Sequence, residues 1–298
     1  MHYLIYFDFI LIFLYNINMK TLIVNKKYDN KKLNNFILDS FPNLSQNTLF
    51  KALRKKDIRV NDKRVSENVT IYENDEIKVF ISDELLEGKL NLNIIYEDDN
   101  ILVINKSTNL EVTGDNSLTT ILEKKYTFIK PCHRIDRNTT GLVLFAKNQE
   151  ALDILLDKFK NREIEKHYLA TVYGIPKVKK IRLEAYLFKD NKKSIVYISD
   201  TPKTGYQKII TSYKVIDENK KDNTSILDIE LETGRTHQIR AHLAHVGYPI
   251  LGDGKYGINE INKKFNQKTQ LLQSNSIKFT FKTPSGILEY LTGKEIKL

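Results

Sequence analysis

The sequence predicts an α+β protein in which a small helix-and-hairpin module precedes a larger domain on a mixed, largely antiparallel sheet. Three observations carry this. A chain of 298 residues is long enough for two cores. Residues 29–82 show two helical periodicities and then two Asn-Asp turns. From residue 92 onward strand-like runs outnumber helical ones, without the regular strand–helix alternation of a parallel sheet.

The elements follow in chain order. "MHYLIYFDFILIFLYNIN" (1–18) is apolar, but Asp8 interrupts it, and it has neither a positive leading region nor a small-residue cleavage site. Spanning a bilayer takes about 20 clean apolar residues, so this stretch is expected to be a dispensable upstream extension before Met19 and not a membrane anchor. In "KLNNFILDSF", Leu33, Phe36, Ile37 and Phe41 fall at helical spacing, and Ser45 opens a second helix, "SQNTLFKALRKK". "IRVNDKRV" and "IYENDEIKVF" read as hairpins about Asn61-Asp62 and Asn74-Asp75. A polar stretch at 83–91 reads as a linker, and the remainder, 92–298, as the second domain.

In that domain "IIYEDDNILVINK" reads as a hairpin around an acidic turn, and "SLTTILEKKY" as a helix with Leu118, Ile121 and Leu122 on one face. "GLVLFAK" reads as a buried strand. "NQEALDILLDKF" reads as a helix capped by Asn148 with Leu152, Leu155, Leu156 and Phe159 as its core stripe. The alternating runs "KHYLATVYG", "IRLEAYLF", "KSIVYIS", "YQKIITSYKVI" and "SILDIELET" supply further strands. In "LETGRTHQIRAHLAHVGYPILGDGKYG" (231–257), Gly234 makes a turn, Thr236 is expected to cap a helix, Ile239, Leu243 and Val246 bury one face, and Gly247 ends it.

Composition narrows the function. A net charge of +10 and a pI near 9.3 favour a polyanionic partner. The single cysteine, Cys132, excludes an internal disulfide and fits a reducing cytoplasm. Without an obvious base beside it, the thiol reads as structural. His237, His242 and His245 match no standard zinc spacing, so no metal is expected there. Seven basic residues between Lys51 and Arg64 face only Asp57 and Asp62, a run that fits an RNA-binding surface and a solvated face equally well. The hexad His133-Arg134-Ile135-Asp136-Arg137-Asn138 holds one acid among basic residues. Positive neighbours favour the charged form of a carboxyl, so Asp136 reads as an anion, either a structural partner for arginine or a nucleophile.

Two resemblances extend this reading. "LSQNTLFKALRKKDIRVNDKRV" with its closing "NDEI" resembles the alpha-L RNA-binding domain of a small-subunit ribosomal protein and several RNA-modifying enzymes, over residues 29–82. It implies that Lys51, Arg54, Lys55, Arg59 and Lys63 face RNA. "HRIDRNTTGLVLFAKN" and the 231–257 segment resemble the two signature motifs of pseudouridine synthases of the RluA, RluC and RluD type. "IIYEDDNILVINK", "KHYLATVYG" and "LLQSNSIKFTFKTP" resemble three more, in the same order. That family cuts the uracil N1–C1′ bond, turns the base and rejoins it through C5, with no metal or organic cofactor. Carried over, Asp136 is the carboxylate nucleophile, Arg240 its ion-pair partner, and Tyr168 the residue stacked on the target base. Arg134 would occupy the stack vacated by a flipped uridine, and His133, Arg137 and Arg235 would contact RNA.

The implied partner is structured RNA, with 23S ribosomal RNA first and transfer RNA second. The protein is expected to act as a cytoplasmic monomer without a membrane. Ser107, Asn109, "VTGD" (112–115) and Gln273 depart from the family pattern and leave the RNA target open. A catalytically silent RNA-binding or ribosome-assembly factor of the same fold, and an RNA N-glycosidase, are the alternatives. Mass spectrometry separates them, since isomerisation leaves mass unchanged and a glycosidase loses the base.

Overall fold

The computed structural model describes residues 19–81, 85–86, 92–115 and 117–298. The expected extension at 1–18 and most of the expected linker lie outside the described residues. The chain divides into two compact units. One holds the described residues up to 92 together with 107–121, and the other holds 93–106 and 122–298.

The first unit starts with β1 (Lys20–Ile23) and β2 (Lys31–Lys32), followed by α1 (Leu33–Ser40) and α2 (Gln46–Arg54). Leu33, Phe36 and Ile37 are buried on α1, and Leu49, Ala52 and Leu53 on α2, in one apolar cluster. Each such burial contributes about 1.5–3 kcal/mol for the larger side chains. The Ser45 side chain accepts the Thr48 N–H and caps α2, as its position before the apolar run implied. Strands β3 (Ile58–Val60) and β4 (Lys63–Val65) pair around Asn61 and Asp62, whose φ values of 48° and 63° are those of a type I′ turn.

The second expected hairpin does not form. β5 (Thr70–Ile71) pairs with β2, whereas β6 (Glu76–Val79) pairs with β1 and β3. The Asn74-Asp75 turn is present, but the Asp75 carboxylate and carbonyl take the N–H groups of Tyr72 and Val24, so the chain leaves one sheet and enters another there.

The second unit is built on one mixed sheet. Its strands are β7 (Ile94–Glu97), β8 (Ile101–Lys106), β9 (Lys130–Pro131), β10 (Thr140–Ala146), β11 (Ile164–Tyr173), β12 (Lys180–Asp190), β13 (Ile195–Ser199), β14 (Gln207–Asn219), β15 (Thr224–Leu231), β16 (Leu272–Phe279) and β17 (Glu295–Lys297). Their order is β13-β12-β14-β15-β11-β16-β10-β8-β7, with β17 on β16 and β9 on β10. Of these pairings β10–β16 is parallel and the others are antiparallel, which is the α+β architecture that the strand-rich pattern predicted. All seven residues of β10 are buried, so its unbroken apolar run is a two-sided interior strand. Gly141 has φ 105°, and a Cβ there would lie 2.2 Å from the Ser274 carbonyl oxygen of β16, so only glycine permits the parallel approach.

Helix α3 (Leu118–Leu122) precedes β9, and α4 (Gln149–Lys160) is capped by Asn148, whose side chain accepts the Ala151 N–H. The expected stripe on α4 is corrected in one respect. Leu156 is 46% exposed, and Lys158 is buried. Ala151, Leu155 and Lys158 stand at i, i+4 and i+7, the spacing that shares a face, and Leu156 lies about 100° away from Leu155. The Lys158 ammonium is satisfied by Glu163 at 2.9 Å and the Thr283 carbonyl at 2.6 Å. The remaining helices, α5 (Gln238–His245) and α6 (Asn259–Lys264), lie between β15 and β16 in the chain. Ala241 of α5 packs with Ala185, Leu187, Val196 and Ile209 of the sheet. Among the described residues no helix is long and apolar enough to cross a membrane.

Candidate active site

The loop that enters β10 carries Asp136. Its backbone is held at several points. Thr139 donates to the Asp136 carbonyl at 3.0 Å, and the buried Lys106 ammonium donates to the Arg137 carbonyl at 3.0 Å. Gln270 donates to the Thr139 hydroxyl at 2.6 Å. A loop clamped in this way presents a side chain at a set position at little entropic cost.

His133, which the resemblance places among the RNA contacts, also takes part in the clamp. Its Nε2 accepts the Leu144 N–H at 3.1 Å, Nδ1 is enclosed, and the ring lies 5.4 Å from that of Phe159. Burial pushes its pKa well below the usual histidine range, helped by the Lys166 charge, so the ring is neutral. Cys132 is likewise core, and burial pushes its thiol up and away from the reactive range.

Arg240 arrives from α5, 104 residues later in the chain. Its Nη1 donates to Asp136 Oδ2 at 2.8 Å, while Nε and Nη2 grip both oxygens of Asp253 at 2.7 and 2.9 Å. The guanidinium thus spans two carboxylates, and its Cζ lies 5.2 Å from the centre of the Tyr256 ring. Burial disfavours its charge, but the two carboxylates prevail and raise its pKa further. Burial alone would raise the Asp253 carboxyl. The Arg240 guanidinium and the N–H groups of Lys255 and Tyr256 outweigh that and hold it below its usual range. Asp136 Oδ1 accepts no hydrogen bond from any described residue, and the side chain keeps 25% of its exposure.

The start of α5 differs from expectation. Thr236 does not cap it; His237 stands at the N-cap in the left-handed region, with no side-chain cap bond. Gln238 instead ties the turn ahead of the helix to the neighbouring strand. Its Oε1 accepts the Arg235 N–H and the Thr233 hydroxyl, and its amide donates to the Ile210 carbonyl and Thr211. The three histidines also differ from one another. His242 is buried against Thr211 and burial pushes it down to about 4, whereas His245 meets Asp200 at the surface. Among the described residues no group of His, Cys, Asp and Glu is arranged to hold a metal ion.

Tyr168 lies on β11, where the register with β16 shifts between His167 and Tyr168. Bulges of this kind re-aim side chains and recur beside active sites. Tyr168 is 4% exposed, and burial together with the Asp136 charge pushes its hydroxyl up, so it stays protonated. Arg134 and Arg235 are exposed and Arg137 is half-buried. The structure therefore brings Asp136, Tyr168 and Arg240 together and leaves arginines on the outer side.

The five expected RNA contacts of the first unit fare differently. Arg54 and Lys63 are exposed. Lys51 and Lys55 are ion-paired with Asp115 and Glu111 of the same unit, and the Arg59 guanidinium lies 4.9 Å from the centre of the Phe80 ring.

Sequence reasoning missed Asp253, Tyr256 and the contact of His237 with Tyr256. The available signal was "LGDGKYG", an acid between glycines in a segment already singled out. Gly252 has φ 77°, and a Cβ there would lie 1.8 Å from the Thr269 carbonyl oxygen; its N–H donates to Asn262 at 2.7 Å. Gly252→Ala is expected to destabilise the protein by about 2–4 kcal/mol, the range for a substitution that forces backbone apart. An unchanged urea midpoint would show that this approach does not constrain the loop.

Asp136 is thus a loop-borne carboxylate tied to the buried Arg240, with Tyr168 buried within reach of its charge and Arg134 and Arg235 exposed. Similarity to known proteins identifies the class of protein that carries these residues. The family model for RNA pseudouridylate synthase matches residues 100–245. Ribosomal large subunit pseudouridine synthase C of Rickettsia typhi is 32% identical over 291 residues, covering 90% of this chain and 92% of that protein. An uncharacterized RNA pseudouridine synthase of Mycoplasma capricolum is 30% identical over 303 residues, covering 93% and 97%. The solved structure of human RNA Pseudouridylate Synthase Domain Containing 1 shares the fold with a TM-score of 0.56 at 23% identity, covering 70% of this chain and 90% of that one. The chain belongs to the RNA pseudouridine synthase family; it is an isomerase, and RNA is its substrate.

Proposed function

We propose that the chain isomerises specific uridines of large-subunit (23S) ribosomal RNA, with Asp136 as nucleophile, Arg240 as its ion-pair partner and Tyr168 stacked on the target base. The relatives named for the large ribosomal subunit support the substrate. The observation that carries the chemistry is the unequal treatment of the carboxylate: Arg240 holds Oδ2, and Oδ1 is left to react. In this scheme the Oδ1 electron pair drives cleavage of the N1–C1′ bond, the uracil turns, and C5 bonds to C1′. The proton lost from C5 is balanced by one gained at N1, and the carboxylate is regenerated. The buried, protonated Tyr168 gives the base an apolar face, and Arg134 fills the gap that the flipped uridine leaves. The protein works as a cytoplasmic monomer.

Incubating the protein with large-subunit ribosomal RNA and mapping carbodiimide adducts tests this directly. New adducts at defined uridines support it, modification of transfer RNA instead would move the substrate, and a lost base would make the protein a glycosidase.

Residues 29–82 act in this reading as an alpha-L RNA-binding module. Lys51 and Lys55 must give up carboxylate partners to bind phosphate, whereas the exposed Arg54 is ion-paired with no carboxylate among the described residues. Alanine at Arg54 is therefore expected to raise KM more than alanine at Lys51 or Lys55. Replacing all three should flatten the dependence of log Kd on log salt by roughly one unit for each phosphate no longer neutralised, with kcat nearly constant. An unchanged KM and salt slope would show that the run is a solvated surface.

A further inference from the structure

His237 is costly where it stands. Its φ of 54° and ψ of 17° put a bulky non-glycine residue in the left-handed region, and its side chain makes no capping bond in return. Such a conformation persists only where surrounding contacts impose it, and it clusters at functional sites.

The contacts lie on the ring. Nδ1 is 2.8 Å from the Tyr256 hydroxyl, and that hydroxyl accepts the Val196 N–H at 2.9 Å. A phenol has one proton to donate, and among the described residues Nδ1 is the acceptor within its reach, so Tyr256 donates to Nδ1. This assignment, which gives the phenol proton its acceptor, puts the ring proton on Nε2, the nitrogen that faces Asp136 Oδ2 at 4.0 Å. Burial, the Arg240 guanidinium and the Lys255 ammonium oppose a charged ring, while Asp136 and Asp253 favour one; burial is the largest influence, and His237 is neutral.

We propose that His237 is a positioning residue: its Nε2–H closes on Asp136 Oδ2 when the target nucleotide enters, so that His237 and Arg240 hold one carboxylate oxygen and turn Oδ1 toward the reacting carbon. The gap is about one ångström longer than a hydrogen bond, within reach of a small side-chain rotation. Neutrality matters to the device. A protonated ring would set a second full positive charge against the carboxylate and draw its electron pair away from the substrate. The Tyr256 O–H bond to Nδ1 stabilises the neutral ring and keeps protonation at low pH.

This inference rests on Asp136 being the nucleophile, and the test separates the two. His237→Asn suits the left-handed backbone but is too short to reach Oδ2. It is expected to lower kcat about 10- to 100-fold with KM within about twofold. Tyr256→Phe keeps the ring packing and removes the O–H donor, so the His237 pKa rises and the acid limb of kcat/KM moves up by about one pH unit. In the double variant the limb should stand where His237→Asn alone leaves it. An unmoved limb in Tyr256→Phe, or an unchanged kcat in His237→Asn, overturns the proposal while the wild type still makes pseudouridine. Absence of product from the wild type would instead overturn the functional reading itself. If the asparagine variant fails to fold by thermal melting, the Tyr256→Phe profile decides alone.

Discussion

Replacing Asp136 with asparagine is expected to lower pseudouridine formation by at least about three orders of magnitude while RNA affinity changes by less than about twofold. The amide is nearly isosteric with the carboxylate. Its oxygen can take the place of Oδ2 and accept from Arg240 Nη1, so the 2.8 Å bond has a substitute and the Arg240–Asp253 pair is undisturbed. What disappears is the anionic oxygen left over, and with it the electron pair that attacks. Single-turnover assays with carbodiimide mapping, alongside filter binding, give both numbers. Turnover above about 1% of wild type would remove Asp136 from the role of nucleophile.

Arg240→Ala carries the second large effect, and it acts on stability and activity together. The Asp253 side chain is fully buried beneath it, so the substitution strands a carboxylate without its cation. Breaking a buried pair from one side costs about 3–5 kcal/mol, because the remaining charge keeps its desolvation penalty. The same change removes the donor to Asp136. A double variant, Arg240→Ala with Asp253→Ala, separates the two consequences, since it removes the stranded charge but does not restore the donor. Most of the stability is expected to return, measured by the urea midpoint, with activity still absent. Arg240→Lys should also fail, because one ammonium cannot reproduce a three-point fork across two carboxylates. A fully active double variant would show that Arg240 serves the fold alone.

Local signals were legible where the chain makes its own decision within a few residues. Ser45 and Asn148 cap helices because each has a side-chain oxygen just ahead of an apolar periodicity. Asn61-Asp62 turns because those residues tolerate positive φ. The unbroken apolar run of β10 marked an interior strand. The charge pattern around Asp136 pointed to an anion in a basic setting, and the resemblance of the two signature segments named Arg240 as its partner.

Other features were settled by groups distant in sequence. The Asn74-Asp75 turn looks like that at Asn61-Asp62, but whether its flanking strands pair with each other depends on β1, β2 and β3, which compete for their edges. Lys158 is buried in the core stripe because Glu163 and Thr283 satisfy its ammonium. The resemblance placed His133 among the RNA contacts, and only the fold shows that its Nε2 accepts the Leu144 N–H.

By itself, then, the sequence determined the fold class, most of the regular elements, the basic character of the protein that calls for an anionic partner, and the identity of one acid worth singling out. Backbone propensity, capping and hydrophobic period act over one or two turns of chain, and these properties depend on nothing longer. Only the tertiary structure decided that Arg240 serves two carboxylates, that Asp253 is the second, and that a strained His237 is aimed at the first by Tyr256. Those choices depend on direction and on distances of a few ångströms between segments up to 104 residues apart. Electrostatic and hydrogen-bond energies fall off over that same short range, so they exist only once packing has brought the segments together.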